Sequence, residues 1–390
     1  MGSSIAYFQP FPLLLILLSC VIIWRSSRGF EIASDYLGRK LPPGIKGASL
    51  NAIASSMPEF LTTVFFLFYL KEEEGFSGGL GVSSGSALFN LLIIPSLAVL
   101  MLYSMGRGRK VVLKKKVLLR EGMVLMLSQL LFVVFLFRGE LLARHGFILV
   151  AIYILYLILL FVITRSEAMA DPGYTTPEDT NSRSALMRIL TLDITHTVLE
   201  GRRINPRLAW ILLLISTMVM ILGTWLLVYA TDLYGKQAHI PLIFVAVVLS
   251  AAATSVPDTI ISIRDARKGN YDDAVSNALG SNIFDIAFAL GFPVFLYNVI
   301  YGRSIRIPPE ELPFVKEVWV FLILATLLAL LIMIIGKHFT RLKAFLLLGI
   351  YLLFILFVET QIETGLREGI GQDIAEFLTR KANLIGSMFR

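Results

Sequence analysis

Two stretches of this chain set a proline and a carboxylate inside otherwise apolar sequence: "ASSMPEFLTT" at 54–63, with Pro58 and Glu59, and "ATSVPDTIIS" at 253–262, with Pro257 and Asp258. Aligned, they pair Ala54 with Ala253, Ser55 with Thr254, Ser56 with Ser255, Pro58 with Pro257, Glu59 with Asp258 and Thr63 with Ser262. A helical proline lacks its amide hydrogen and obstructs the carbonyl four residues earlier, so each copy is expected to kink and to free backbone oxygens. Those carbonyls, with the hydroxyls of Ser55, Ser56, Thr254 and Ser255, are hard oxygen ligands of the kind that Na⁺, K⁺ and Ca²⁺ take. A carboxylate at mid-bilayer costs roughly 2.5–3.5 kcal/mol even on the milder insertion scale, so it needs a cation, a proton or a polar partner.

Downstream of each copy lies a second related pair, "SSGSALFNLLI" at 83–93 and "NALGSNIFDIA" at 277–287. Here Gly85 matches Gly280, Ser86 matches Ser281, Phe89 matches Phe284, and Asn90 matches Asp285. Ser86 and Asn90, like Ser281 and Asp285, are four residues apart, which puts each pair on one helical face about one turn apart and aims both pairs at one cavity. Taken singly, these residues have a plainer reading: prolines and serines are packing and kink devices in membrane helices, and a lone acid can be a structural hydrogen-bond partner. Their joint repetition in both parts of the chain favours a cation site built from Glu59, Asp258, Asp285, Asn90, Ser55, Ser56, Thr254, Ser255, Ser86 and Ser281.

The elements that must hold this site are membrane helices. The 390 residues are 56% hydrophobic and 16% charged, with a mean hydropathy of +0.76, outside the range of soluble domains. Counting runs long enough for ~30 Å of hydrocarbon gives about ten helical spans, so the fold expected is an all-α polytopic membrane protein. Alternating strands of about ten residues, the mark of a β-barrel, are not seen. Lys and Arg cluster in alternate loops: Arg39, Lys40 and Lys46; 107–116; 165–207; Arg264, Arg267 and Lys268; and Lys337, Arg341 and Lys343. The positive-inside rule makes those loops cytoplasmic and both termini extracytoplasmic. Five spans on either side of the central loop then enter the bilayer in opposite senses, which is an inverted repeat. The expected divisions are a first five-helix repeat at 1–164, a cytoplasmic connecting loop at 165–205 that closes in a short amphipathic helix, a second repeat at 206–361, and an amphipathic tail at 362–390 lying on the membrane surface.

At the paired segments the chain resembles the cation/calcium exchanger superfamily, whose repeats carry a G-S/T-S-x-P-E/D segment and a downstream G-S-N/A-x-F-N/D segment. Within it, "SSMPEF" with "GSALFN" and "TSVPDT" with "SNALGSNIFDI" are most similar to the potassium-dependent sodium/calcium exchangers and their prokaryotic relatives. The resemblance is strong over about 44–100 and 240–295 and elsewhere rests on span count and symmetry. It implies that Glu59 and Asp258 share a central calcium site and also coordinate sodium. Ser55, Ser56, Thr254 and Ser255 would contribute hydroxyl or backbone oxygens, Ser86 and Ser281 would line flanking sodium sites, and Asn90 and Asp285 would complete the ring. An Asp at the position of Asp285 goes with potassium use in animal members but not in all prokaryotic ones, so potassium dependence stays open. The implied mechanism is alternating access, in which the first span of each half, about 9–38 and 206–234, slides across the site. Ala54 and Ala253 stand where the superfamily usually has Gly, and the added methyls would narrow the cavity or stiffen a sliding helix.

The expected activity is therefore Ca²⁺ for Na⁺ exchange in a plasma or bacterial inner membrane, with a Ca²⁺/H⁺ or other divalent-cation antiporter of the same fold as the alternative. No enzyme is expected: an intramembrane aspartyl protease would use "YDD" at 271–273, but its G-x-G-D partner is missing. A non-transporting scaffold would bind cations equally well with Glu59 and Asp258 neutralised. The scattered His145, His196, His239 and His338, and the single Cys20, offer no zinc or haem set, so no cofactor is expected. "GFSGGLGVSSG" lacks the Lys of a phosphate loop, so no nucleotide is expected. The expected partners are the lipid bilayer and inorganic cations, not nucleic acid, and nothing indicates a homo-oligomer.

Overall fold

A computed structural model describes residues 10–40, 52–70, 73–106, 111–164, 191–200, 202–268, 271–336 and 338–362, excluding the side chains of 73–74, 268, 271–274 and 276. All of the expected tail at 362–390 beyond its first residue, most of the connecting loop and the acidic side chains of "YDD" lie outside the described residues. The first half contains α1 (Pro10–Leu37), α2 (Ala52–Tyr69), α3, α4 (Lys115–Leu136) and α5 (Ala143–Thr164). In α3, Glu73–Leu88 passes through a π-helical turn, Phe89–Ile93, into Ile94–Ser104. A short helix, α6 (Ile194–Leu199), is capped by Asp193, whose side chain accepts from His196 N.

The second half repeats the order. α7 (Pro206–Ala238) starts at an Asn205 cap followed by Pro206, and ends where His239 takes a left-handed conformation. α8 comprises Leu242–Val245, a π turn at Ala246–Ser250, and Ala251–Thr254; α9 is Val256–Lys268. α10 comprises Tyr271–Phe284, a π turn at Asp285–Leu290, and Gly291–Tyr301; α11 is Leu312–Ile334 and α12 is Arg341–Ile362. Nine helices among the described residues are long and apolar enough to cross a membrane, and the α8–α9 pair, bent by 41°, makes a tenth. The protein is a multi-pass integral membrane protein of two inverted five-helix repeats.

Contacts between loops fix which ends belong together. Glu140 and Leu141 pair antiparallel with Arg306 and Ile305, joining the α4–α5 and α10–α11 connections at one end. At the other, Phe339 N donates to Val111 O, Arg341 lies over the Tyr103 ring, and an Arg267 Nη2 donates to Met101 Sδ. The described basic segments therefore gather at one end of the bundle, as the alternation of charged loops requires.

The first spans, α1 and α7, are close partners. A methyl at Gly29 would fall 2.3 Å from Ser216 Oγ, and one at Gly223 would fall 2.8 Å from Ile22 Cγ2. Outward, this pair exposes Leu14, Leu17, Trp210, Leu214 and Leu222, which suits a lipid-facing surface. The remaining helices form the body: Phe132 of α4 meets Trp319 of α11 at 4.2 Å between rings, and Ser96 of α3 donates to Ala344 O of α12.

The two repeats cross where α3 meets α8. A methyl at Gly85 would lie 2.0 Å from Val247 O and 2.7 Å from Ala251 Cβ, so the backbones touch there, the small-residue contact by which membrane helices associate. Gly85→Ala is expected to cost about 1–3 kcal/mol by overpacking, lowering the melting temperature of the detergent-solubilised protein by several degrees. Gly349→Ala, at a helical position with nothing within 4 Å, is expected to leave it unchanged. Equal melting curves for the two variants would contradict this crossing.

Candidate cation-binding site

The two proline copies differ in backbone. α2 runs unbroken through Pro58, whereas the second copy breaks at Ser255, between α8 and α9. Of the two copies, the second interrupts its helix, with a bend of 41°. In the unbroken copy hydroxyls supplement the local backbone: Thr62 Oγ1 donates to Pro58 O and Thr63 Oγ1 to Glu59 O. Neither carbonyl is the one that Pro58 obstructs, which is that of Ala54 four residues earlier.

All ten side chains singled out in the sequence are fully buried, at 0% exposure. Seven of them form one hydrogen-bonded cluster. Ser86 Oγ donates to Glu59 Oε1 at 3.0 Å, and Ser281 Oγ donates to Asp258 Oδ1 at 3.0 Å. These two bonds are equivalents of each other under the repeat. Each serine has one proton to give, so Ser86 accepts from Ser255 at 2.8 Å. Ser281 lies 3.2 Å from Ser55, whose hydroxyl is equally close to Ala52 O. Both serine contacts cross between the halves. Asn90 Nδ2 of the first half also donates to Asp258 Oδ2 of the second, at 3.1 Å.

The symmetry fails at the position equivalent to Asn90. Asp285 stands there, and an ionised carboxylate has no proton to offer. The consequence is visible in the bonding: Asp258 is satisfied at both oxygens, while Glu59 Oε2 and both oxygens of Asp285 are buried without a hydrogen-bond partner. Asp285 interacts electrostatically with Glu59 first and Asp258 second. Ser56 Oγ and Asn90 Oδ1 are likewise buried without a formed hydrogen bond, the Ser56 hydroxyl lying beside Asp285. The Thr254 hydroxyl turns back to Ala251 O at 3.1 Å and also lies beside the Glu59 carboxylate. Among the described residues no three His, Cys, Asp or Glu side chains come close enough to hold a metal by themselves, so an ion here would also need the serine and asparagine oxygens.

Asn277 was not among the sequence candidates. Its Nδ2 reaches Asp258 Oδ1 and Ser262 Oγ, each at 3.4 Å. Comparing the repeats hides it, because the matching position in the first half is Val82. The two alanines that replace the superfamily's glycines face the outer helix pair. Ala54 packs with Phe30 of α1 and Met220 of α7, and Ala253 with Ile16, Ile23, Leu227 and Ala230 of the same helices.

Comparison with known proteins accords with this arrangement. Over 170 residues, 43% of this chain, the sequence is 36% identical to "Sodium/potassium/calcium exchanger Nckx30C" of Drosophila melanogaster, covering 18% of that protein. It is 32% identical over 140 residues, 35% of the chain, to "Sodium/potassium/calcium exchanger 4" of Mus musculus, covering 21% of it. The chain thus spans only about a fifth of the length of these curated relatives. Two solved structures share the fold. The H⁺/Ca²⁺ exchanger CAX gives a TM-score of 0.70 at 15% identity, covering 99% of this chain and 89% of that one. The sodium-calcium exchanger NCX_Mj, soaked with 10 mM Na⁺ and 10 mM Sr²⁺, gives 0.54 at 19% identity, covering 88% and 97%. The family model described as "Sodium/calcium exchanger protein" matches residues 11–162 and 208–359. Those two segments hold both acidic copies and all of the bonded cluster, and the chain belongs to the sodium/calcium exchanger protein family.

Proposed function

We propose that the protein is a secondary antiporter that exchanges Ca²⁺ for Na⁺ across a membrane by alternating access. One observation carries this reading: the acidic segments of two opposed repeats meet in a buried oxygen cluster where Glu59 Oε2 and both Asp285 oxygens lack donors. Burying ionised carboxylates without compensation is prohibitive, so the site is completed by a positive charge. Glu59, Asp258 and Asp285 supply enough negative charge for one Ca²⁺ or for several Na⁺, and simultaneous full occupancy by both would overcharge the cavity. That exclusion is the basis of exchange. Permitting the site to change sides only when its charge is matched would suppress leak.

In this mechanism α1 and α7 move against the body, with Ala54 and Ala253 at the surface over which they slide. Placing the basic end in the cytoplasm puts both termini outside, in a plasma or bacterial inner membrane. The names of the curated relatives support sodium as the driving ion and put potassium among the ions to be tested. A second reading keeps the fold and replaces sodium by protons or another cation. It is favoured by the same unpartnered oxygens, because a proton shared by Glu59 and Asp285 would also satisfy them.

Calcium uptake into proteoliposomes with outward gradients of Na⁺, K⁺ or H⁺ distinguishes these readings. Uptake is expected with the sodium gradient, and Asp258→Asn is expected to reduce it to the level of protein-free vesicles. Uptake indifferent to sodium but driven by protons would transfer the conclusion to the second reading. Asp285→Asn is expected to raise the melting temperature of the ion-free protein, because it removes a buried charge without donors and supplies an amide toward Glu59. It is also expected to shrink the Ca²⁺-induced stabilisation, which for the wild type is ~2.7 kcal/mol at a hundred times the Kd. An ion-free Asp285→Asn protein less stable than wild type would count against the donor deficit.

A further inference from the structure

Between α1 and α9 lies a cavity of about 340 Å³ lined by Trp24, Ser27, Glu31, Pro257, Ile261 and Arg264, among others. Its walls run in register. Trp24 to Glu31 on one side and Pro257 to Arg264 on the other each span seven residues, about 10 Å of helix. Pro257, on the cavity wall, immediately precedes the fully buried Asp258 in α9. Toward the basic end, Arg264 Nη2 of α9 is ion-paired with Glu31 Oε1 of α1. Glu31 is 7% exposed although it is charged and sits on the outer helix pair.

The walls are mostly apolar, interrupted by a few polar and charged groups. Ser27 Oγ and Arg264 Nε are buried along the cavity without hydrogen-bond partners, which is where water would be bound. Glu31 and Arg264 also interact electrostatically with Asp35 and Asp265, while Arg28 and Arg267 line the cavity beside them. Asp35 and Asp265 thus lie close to the pair that spans the crevice.

We propose that the crevice between α1 and α9 is the path by which cations reach the cluster from the basic end, and that the Glu31–Arg264 ion pair is its gate. The inference rests on the antiport reading and adds residues to it. With the pair formed, α1 is tied to the body, Glu31 is occupied, and the guanidinium stands in the path. With α1 displaced, the pair breaks, the crevice joins the cluster past Pro257, and Glu31 becomes a free carboxylate that draws a cation inward. Glu31 is nearly buried while Arg264 is partly exposed, so the carboxylate that the broken pair releases is the group that needs a new cation. Opening is thereby coupled to the arrival of the transported ion.

The test uses the full chain with Cys20→Ser, reconstituted in liposomes. A cysteine at Ile261 reports accessibility to a membrane-impermeant thiol reagent, with no need for transport. Its modification is expected to be slow in the parent and about fivefold or more faster with Arg264→Gln or Glu31→Gln. Glu31→Arg combined with Arg264→Glu is expected to restore slow modification. In a second arm, Glu31→Cys with Arg264→Cys is cross-linked by a short bifunctional thiol reagent. Calcium exchange is expected to stop and to return on reduction, while Ca²⁺ still raises the melting temperature of the cross-linked protein. An Ile261 cysteine equally inert in every variant, or exchange that continues through the cross-link, would overturn the gate. Failure of Ca²⁺ to stabilise any variant would instead strike the antiport reading, leaving the accessibility result to stand or fall by itself.

Discussion

The structure depends on a mismatch of donors and acceptors inside the membrane. Two symmetric serine bonds, Ser86 to Glu59 and Ser281 to Asp258, anchor one carboxylate in each half. Asn90 then completes Asp258, but its counterpart Asp285 cannot complete Glu59. In a low-dielectric interior an unpaired polar group is expensive and an unpaired charge more so. A folded chain that retains three such oxygens must obtain its missing charge from outside. An exchanger requires that condition: a site that is unstable empty and satisfied by more than one kind of cation.

The remainder of the fold serves to keep water and lipid away from this cluster without filling it. Gly85 brings α3 against the α8 backbone, which lets segments from both repeats surround one point. Phe60, beside Glu59, stacks near Phe288 and Phe292, and Tyr153 packs on Phe284 and Phe288, forming an aromatic wall on the Asp285 side. Edge and offset ring contacts of this kind hold rigid surfaces without polar partners. On the opposite side α1 and α7 form a separate paired unit, and their contacts with Ala54 and Ala253 are apolar. A rigid wall and a smooth outer pair are the mechanical components that alternating access needs.

Much of this was legible in the sequence, and the reasons are physical. Spans are legible because the bilayer fixes their length: the expected first spans at about 9–38 and 206–234 correspond to Pro10–Leu37 and Pro206–Ala238. The paired acids are legible because both repeats spell them. Three features were not. The prolines are spelled alike, yet the helix continues through Pro58 in α2 while the second copy is interrupted at Ser255 with a 41° bend, a difference that the local spelling does not contain. Asn277 has no repeat partner, so alignment to Val82 conceals it. The link of Asn90 to Asp258, and of Glu31 to Arg264, joins residues far apart in sequence through tertiary placement alone.

The central claim is that one buried cluster holds either Ca²⁺ or Na⁺ and not both. Equilibrium binding of radiolabelled Ca²⁺ to the purified protein, titrated with Na⁺ at constant ionic strength, tests it most directly. The account predicts complete and cooperative displacement of Ca²⁺ by Na⁺, absent with K⁺ or choline as the balancing cation. Bound Ca²⁺ that persists at saturating Na⁺ would contradict it, since the two ions would then occupy separate sites.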